Sequence, residues 1–145
     1  MKIKYILKSC IDELCSKGAR LRFAESDDAV LLTPDTYVCY RIPKSEIPVD
    51  FPKSRKSLSL LRLWKDWHEA LDSGSYRTAT RAYHIDTPKG ELMVYNENVC
   101  VVAKLLKGFD KNAEIRIRDP KEPVLVIEDG ELVGVVYPTL RGKTE

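Results

Sequence analysis

The sequence predicts an α+β fold. Two strand–helix–three-strand units should join into one sheet with two helices on one face, and a third helix should be inserted between the units. Two observations point there. Residues 5–17 and 97–107 carry apolar side chains at three- and four-residue steps, the period of a helix face. Each is followed by three short runs of alternating apolar and polar residues, bounded by turn-forming residues.

The elements follow in order. In residues 5–17, Ile6, Leu7, Cys10, Ile11 and Leu14 form the stripe, extended by Ile3, and Gly18 is a fitting stop. Arg20 to Glu25, Ala29 to Thr33 and Thr36 to Ile42 read as a meander, punctuated by Ser26-Asp27-Asp28 and Pro34-Asp35. Residues 43–56 read as a loop with Pro43, Pro48 and Pro52. A helix over 58–72 follows, with Ser57 as N-cap and Gly74 as stop. Its apolar arc holds Leu60, Leu61, Leu63, Trp64, Trp67 and Leu71, opposite Arg62, Lys65, Asp66, Glu69 and Asp72. Residues 76–85 and 91–95 should pair as a hairpin around Asp86 to Gly90. A helix over 97–107 would bury Val99, Val102, Ala103 and Leu106, with Cys100, Lys104 and Lys107 opposite. Strands Ala113 to Arg118, Pro123 to Glu128 and Glu131 to Tyr137 close the fold, the last two joined by Asp129-Gly130, a tight hairpin signal.

The first and last thirds share this order. A shift of 90 residues places Tyr5 on Tyr95, Cys10 on Cys100 and Gly18 on Gly108. A shift of 94 places Leu21-Arg22-Phe23 on Ile115-Arg116-Ile117. The organisation is therefore one domain over 1–145: a first unit at 1–43, an inserted loop and helix at 44–75, and a hairpin with the second unit at 76–141.

A chain of 145 residues with 43% hydrophobic and 32% charged residues can bury a full core without staples. The net charge of +2 is too small to argue for nucleic acid, membrane or acidic substrates. No apolar run spans a bilayer and no signal-peptide core is present, so a cytoplasmic protein without membrane contact is expected. The four cysteines, at 10, 15, 39 and 100, lack metal-ligand spacing and read as small buried hydrophobes in a reducing compartment. No zinc site is expected from His68 and His84, and no other metal or cofactor is called for. The nucleophile-elbow, phosphate-loop, dinucleotide and zinc-hydrolase motifs are all missing, which points away from an enzyme.

Two local strings carry a family resemblance. YVCYRIPKSEIPVDFP, residues 37–52, resembles a strand and the following proline loop of bacterial sliding DNA clamps. Residues 103–141, with Asp119-Pro120-Lys121-Glu122-Pro123-Val124 and Tyr137-Pro138, resemble the C-terminal stretch of a clamp domain. Together they cover about 55 of the 145 residues, and helix 58–72 has no counterpart in the family. The resemblance implies a single clamp-like domain that binds a protein or peptide as an accessory of DNA replication or of a mobile element. It also implies that Val136, Tyr137, Pro138 and Leu140 border the partner pocket.

Leu61 and Trp64, at the edge of the arc of helix 58–72, are further candidate partner contacts, while Leu60, Leu63, Trp67 and Leu71 should pack inside. Nucleic acid is the alternative partner. Its candidate contacts are Lys53, Arg55 and Lys56 in the loop, Arg77, Arg81 and Tyr83 alternating along one strand, and Lys104 and Lys107 on the 97–107 helix. Self-association is left open.

Overall fold

The computed structural model describes residues 1–16, 21–26, 28–35, 37–47, 58–79, 82–88, 90–96 and 99–139. Helix α1 spans Ile3–Leu14. Strands β1 (Arg22–Glu25), β2 (Ala29–Asp35) and β3 (Val38–Pro43) follow, then helix α2 over Leu58–Asp72. Next come β4 (Arg77–Thr78), β5 (Ala82–Thr87), β6 (Gly90–Tyr95) and β7 (Val99–Val102). A 3-10 turn at Ala103–Leu106 leads to β8 (Glu114–Ile117), β9 (Val124–Glu128) and β10 (Glu131–Val136). The fold is α+β and mostly sheet.

Among the described residues the strands form two antiparallel sheets. The larger has the order β1-β2-β3-β10-β9-β8-β4, and the smaller β5-β6-β7. The meanders β1–β2–β3 and β8–β9–β10 each run from an edge to the centre and meet where β3 pairs with β10, Gly134 opposite Tyr40. At the β9–β10 turn Asp129 and Gly130 both have positive φ, 52° and 79°. That is the backbone a tight two-residue hairpin demands.

The central strands of the large sheet are buried on both faces. Alternation sends Phe23, Val30, Leu32, Tyr40, Ile42, Val124 and Val126 to one side, where Ile6 and Cys10 of α1 and Tyr95, Val99 and Val101 of the small sheet join them. It sends Ala24, Leu31, Cys39, Leu125 and Ile127 to the other, against Leu60 and Trp67 of α2. On β10, Leu132 and Val135 share the α2 face although they stand three positions apart. A register shift between Leu132 and Gly134 makes this possible.

Gly134 itself answers a packing demand. A β-carbon there would strike the Phe109 ring and come within 3.1 Å of the Cys39 carbonyl oxygen. Phe109 in turn packs on Tyr40, ring centroids 5.0 Å apart. A β-carbon at Gly108 would lie 2.6 Å from the Tyr40 hydroxyl oxygen. The chain's start is tied to the same region: Lys2 N–H donates to the Gly108 carbonyl, and the Met1 ammonium lies 2.8 Å from both Asp110 and Glu128.

Helix α1 runs over Ile3–Leu14 rather than the expected 5–17, and its predicted stop, Gly18, lies outside the described residues. Two larger corrections concern the topology. The described part of the expected 97–107 helix, residues 99–107, is not an α-helix but strand β7 followed by the 3-10 turn. Val99, Cys100 and Val101 are all buried in β7, which pairs along β6 from Tyr95↔Val99 to Leu92↔Val102. A helix would bury only one stripe of that segment, whereas a strand covered on both sides buries every residue. The β-branched valines favour the strand further. The two helices therefore do not lie side by side on one face. The small sheet takes the place beside α1, and α2 covers the opposite face. The second correction concerns residues 76–85, which split into β4 in the large sheet and β5 in the small one.

Candidate partner-binding site

Helix α2 has the predicted bounds, Leu58–Asp72. Its predicted cap, Ser57, lies outside the described residues. Leu60 and Trp67, seven residues apart, fall on one line of the helix and are 2% and 8% exposed. Leu61, Trp64, Ala70 and Leu71 are partly buried against the same cluster. Arg62, Lys65, Asp66, Glu69 and Asp72 are exposed, as the amphipathic pattern requires. Leu63, expected inside, is 38% exposed. At about 100° per residue it points about 60° away from Leu60, beyond the width that the sheet covers.

The aromatic side chains join what the sequence separates. Trp64 meets Trp67 edge-on, centroids 6.0 Å apart and planes at 82°. Trp67 meets Tyr137 in the same manner, at 6.0 Å and 72°. Edge-to-face pairs at such separations add about 0.5–1.5 kcal/mol beyond their burial. Trp67 is thus the buried link between two half-buried aromatics, Trp64 and Tyr137. Burial pushes the Tyr137 hydroxyl above its usual range, the Cys39 thiol adds to this, and Arg22 opposes it. The hydroxyl stays protonated at neutral pH and can donate a hydrogen bond.

Beyond the C-terminal end of α2 the packing is closed. The Tyr76 hydroxyl donates to the Pro123 carbonyl at 3.0 Å. The Arg118 guanidinium stacks 4.6 Å over the Tyr76 ring and pairs with Glu122. Arg118 also donates to the Ser75 hydroxyl at 2.8 Å. The backbone beyond β10 is fixed as well: Tyr137 N–H donates to the Tyr37 carbonyl and Thr139 N–H to the Cys100 carbonyl, both at 2.8 Å.

Of the six candidate partner contacts, Leu61, Trp64 and Tyr137 come together in this cluster, and Pro138 follows Tyr137, half-buried. Val136 is fully buried in the core on the α1 side, so it offers no surface to a partner. Leu140 lies outside the described residues.

Among the described residues, the nucleic-acid candidates do not assemble into one face. Arg77 stands on β4 and donates to the Arg118 carbonyl at 3.2 Å, whereas Tyr83 stands on β5 in the other sheet, 50% exposed. Lys53, Arg55, Lys56 and Arg81 lie outside the described residues. Lys104 and Lys107 are exposed at a 3-10 turn rather than on a helix. Lys104 edges an open groove of about 550 Å³ along α1, beside Tyr5 and Tyr37. Lys107 edges a second, of about 570 Å³, lined by residues of both sheets.

Sequence reasoning missed one cluster. His84, Asp86 and Glu91 converge on the β5–β6 hairpin with potential metal-ligating atoms all within 4.8 Å of one another. The signal was present in the Asp86 to Gly90 turn, whose tight closure sets position 91 across from position 86.

The described parts thus define an α+β domain with a half-open aromatic cluster at one side of α2. Its helices include none long and apolar enough to cross a membrane. Comparison with known proteins finds no matching family model, no matching curated protein and no matching solved structure.

Proposed function

We propose that this protein is a noncatalytic module that binds a protein or peptide through the surface around Trp64 and Tyr137. The observation that carries the reading is the Trp64–Trp67–Tyr137 series. A buried Trp67 holds two half-exposed aromatics in fixed edge-on geometry, and Leu63 stands exposed on the same helix. Large aromatics with an apolar body and a polar tip are the side chains that carry most interface energy. Rigid support beneath them lowers the ordering cost of association. A partner's apolar side chain would seat against Trp64 and Leu61, and the Tyr137 hydroxyl would donate to a backbone carbonyl at the rim. The sequence resemblance to clamp domains supports looking for that partner among replication proteins or those of a mobile element.

Selection of a displayed random-peptide library on the folded protein tests this. Peptides should be enriched whose binding is lost in Trp64→Ala while the far-ultraviolet spectrum is unchanged. Enrichment indifferent to both Trp64→Ala and Leu61→Ala would sink the reading.

Nucleic acid is the second reading. It rests on Lys104 and Lys107, both exposed, one within the 3-10 turn and one directly after it. A gel shift that weakens steeply with salt and is reduced in the double lysine-to-alanine variant would support it.

A further inference from the structure

His84 and Asp86 stand two residues apart on β5, so their side chains leave the same face of the strand. The register puts Glu91 of β6 directly opposite Asp86. The three groups are exposed. The His84 imidazole approaches Glu91, Nδ1 to Oε1, at 2.9 Å. One nitrogen or oxygen atom from each residue lies within 4.8 Å of the other two.

Two carboxylates set directly across an antiparallel pair repel each other and weaken the hairpin. The imidazole contacts one of them, which leaves the other uncompensated within the cluster. A cation among the three donors would remove the repulsion and bind all of them. Nitrogen and oxygen ligands sit about 2.0–2.2 Å from zinc, so neighbouring ligands of one ion stand about 3–4 Å apart. The His84–Glu91 separation lies just below that spacing and the three ligand atoms stand within 4.8 Å of one another, so side-chain rotation would set all three around one ion. One imidazole with two carboxylates is a donor set for a divalent transition metal. Magnesium would be poorly served, because it prefers oxygen ligands in a near-ideal octahedron.

We propose that the β5–β6 hairpin is a surface site for a divalent transition metal ion, with zinc the best fit, held by His84, Asp86 and Glu91 and completed by water. The site is independent of the α2 surface. Its ligands come from one hairpin, so a bound ion would fix the register of that hairpin and stiffen an outer strand of the small sheet.

Isothermal titration of the full chain with zinc chloride tests the proposal, in a Cys15→Ser background that removes the exposed thiol. One ion should bind per chain, and the melting temperature should rise with it. His84→Ala and Glu91→Gln change exposed side chains. Each should weaken zinc binding by more than the ~10–100-fold that loss of a mere supporting residue costs. Asp86→Asn provides a third variant should either of those melt early. His68→Ala, which alters the separate His68–Asp72 pair, should leave binding intact. Absence of saturable binding, binding that survives His84→Ala, or magnesium binding as tightly as zinc would each overturn the assignment.

Discussion

On its α1 side the large sheet meets a helix and a second sheet together. Phe23, Ile42, Val124 and Val126 are each no more than 1% exposed there, and Phe109 fills the space left by Gly134. On its α2 side the same sheet meets one helix alone, and the partly buried Leu61, Trp64, Leu71 and Tyr137 fringe that contact. The difference follows from coverage. A single helix is about 10 Å wide with its side chains, so it seals only a stripe of a sheet this broad. The apolar surface at the margin of that stripe is taken up by the partly buried Trp64 and Tyr137. A sheet buried on both faces can therefore be structural on one and leave contact surface at the margin of the other.

Mutations should separate the faces, beginning with the sealed one. Phe109→Ala should cost about 3–5 kcal/mol in urea unfolding, because the ring is enclosed and the cavity has little to collapse it. Gly134→Ala should be comparably severe, above the usual ~1–3 kcal/mol for overpacking, since both Phe109 and the Cys39 carbonyl stand in the way. If Phe109→Leu restores stability to Gly134→Ala, the clash is located at that contact.

On the α2 side the two tryptophans should part company. Trp67→Ala should lose about 3–5 kcal/mol, as a buried aromatic does. Trp64→Ala should lose clearly less, and should instead reduce peptide binding or self-association measured by sedimentation. Equal, large losses for both, with association unchanged, would make α2 as purely structural as the α1 side.

Alkaline titration is gentler. Burial lifts the Cys10 thiol from 9.0 to about 12 and the Tyr95 hydroxyl from 10.0 to about 12, and both belong to the α1 side. Each raised value means the unfolded chain releases its proton first. The stability these neutral groups contribute is complete below about pH 9, declines as pH rises, and is gone by about pH 12. The urea midpoint should accordingly fall across that window, and Cys10→Ala should flatten part of the decline. Smallest of all should be the effect of Cys15→Ser, within about 0.5 kcal/mol, because that residue is exposed. In the native protein Cys15 should react with a thiol reagent well before the buried Cys10 and Cys39.

Much of this was readable from local pattern. Period-three-and-four spacing found α1 and α2, and alternation found both meanders and the Asp129-Gly130 turn. The pattern failed at Val99–Val102, where apolar residues three apart satisfy a helix and a fully buried strand equally well. The sides of the sheet were not readable either, since local amphipathicity says that a helix must be covered and not by which face. The site was half legible. Trp64 and Tyr137 could each be singled out, but 73 residues separate them (137 − 64), and only the pairing of β10 with β3 brings Tyr137 beneath α2. The His84, Asp86 and Glu91 cluster needed the hairpin register, which depends on where the turn closes.

The β3–β10 pairing also governs the order in which the chain can be assembled. Tyr40 and Gly134 are neighbours across the sheet but lie 94 residues apart (134 − 40). Each meander closes through local turns, whereas this junction waits for nearly the whole chain, and such distant pairings slow folding. During synthesis at about 5–20 residues per second, the junction edge of β3 stands open for on the order of 5–20 s before β10 emerges. Through that interval it offers unpaired backbone amides and carbonyls beside the apolar Val38, Tyr40 and Ile42, and a nascent chain in that state is a substrate for chaperones and for misplaced strand pairing.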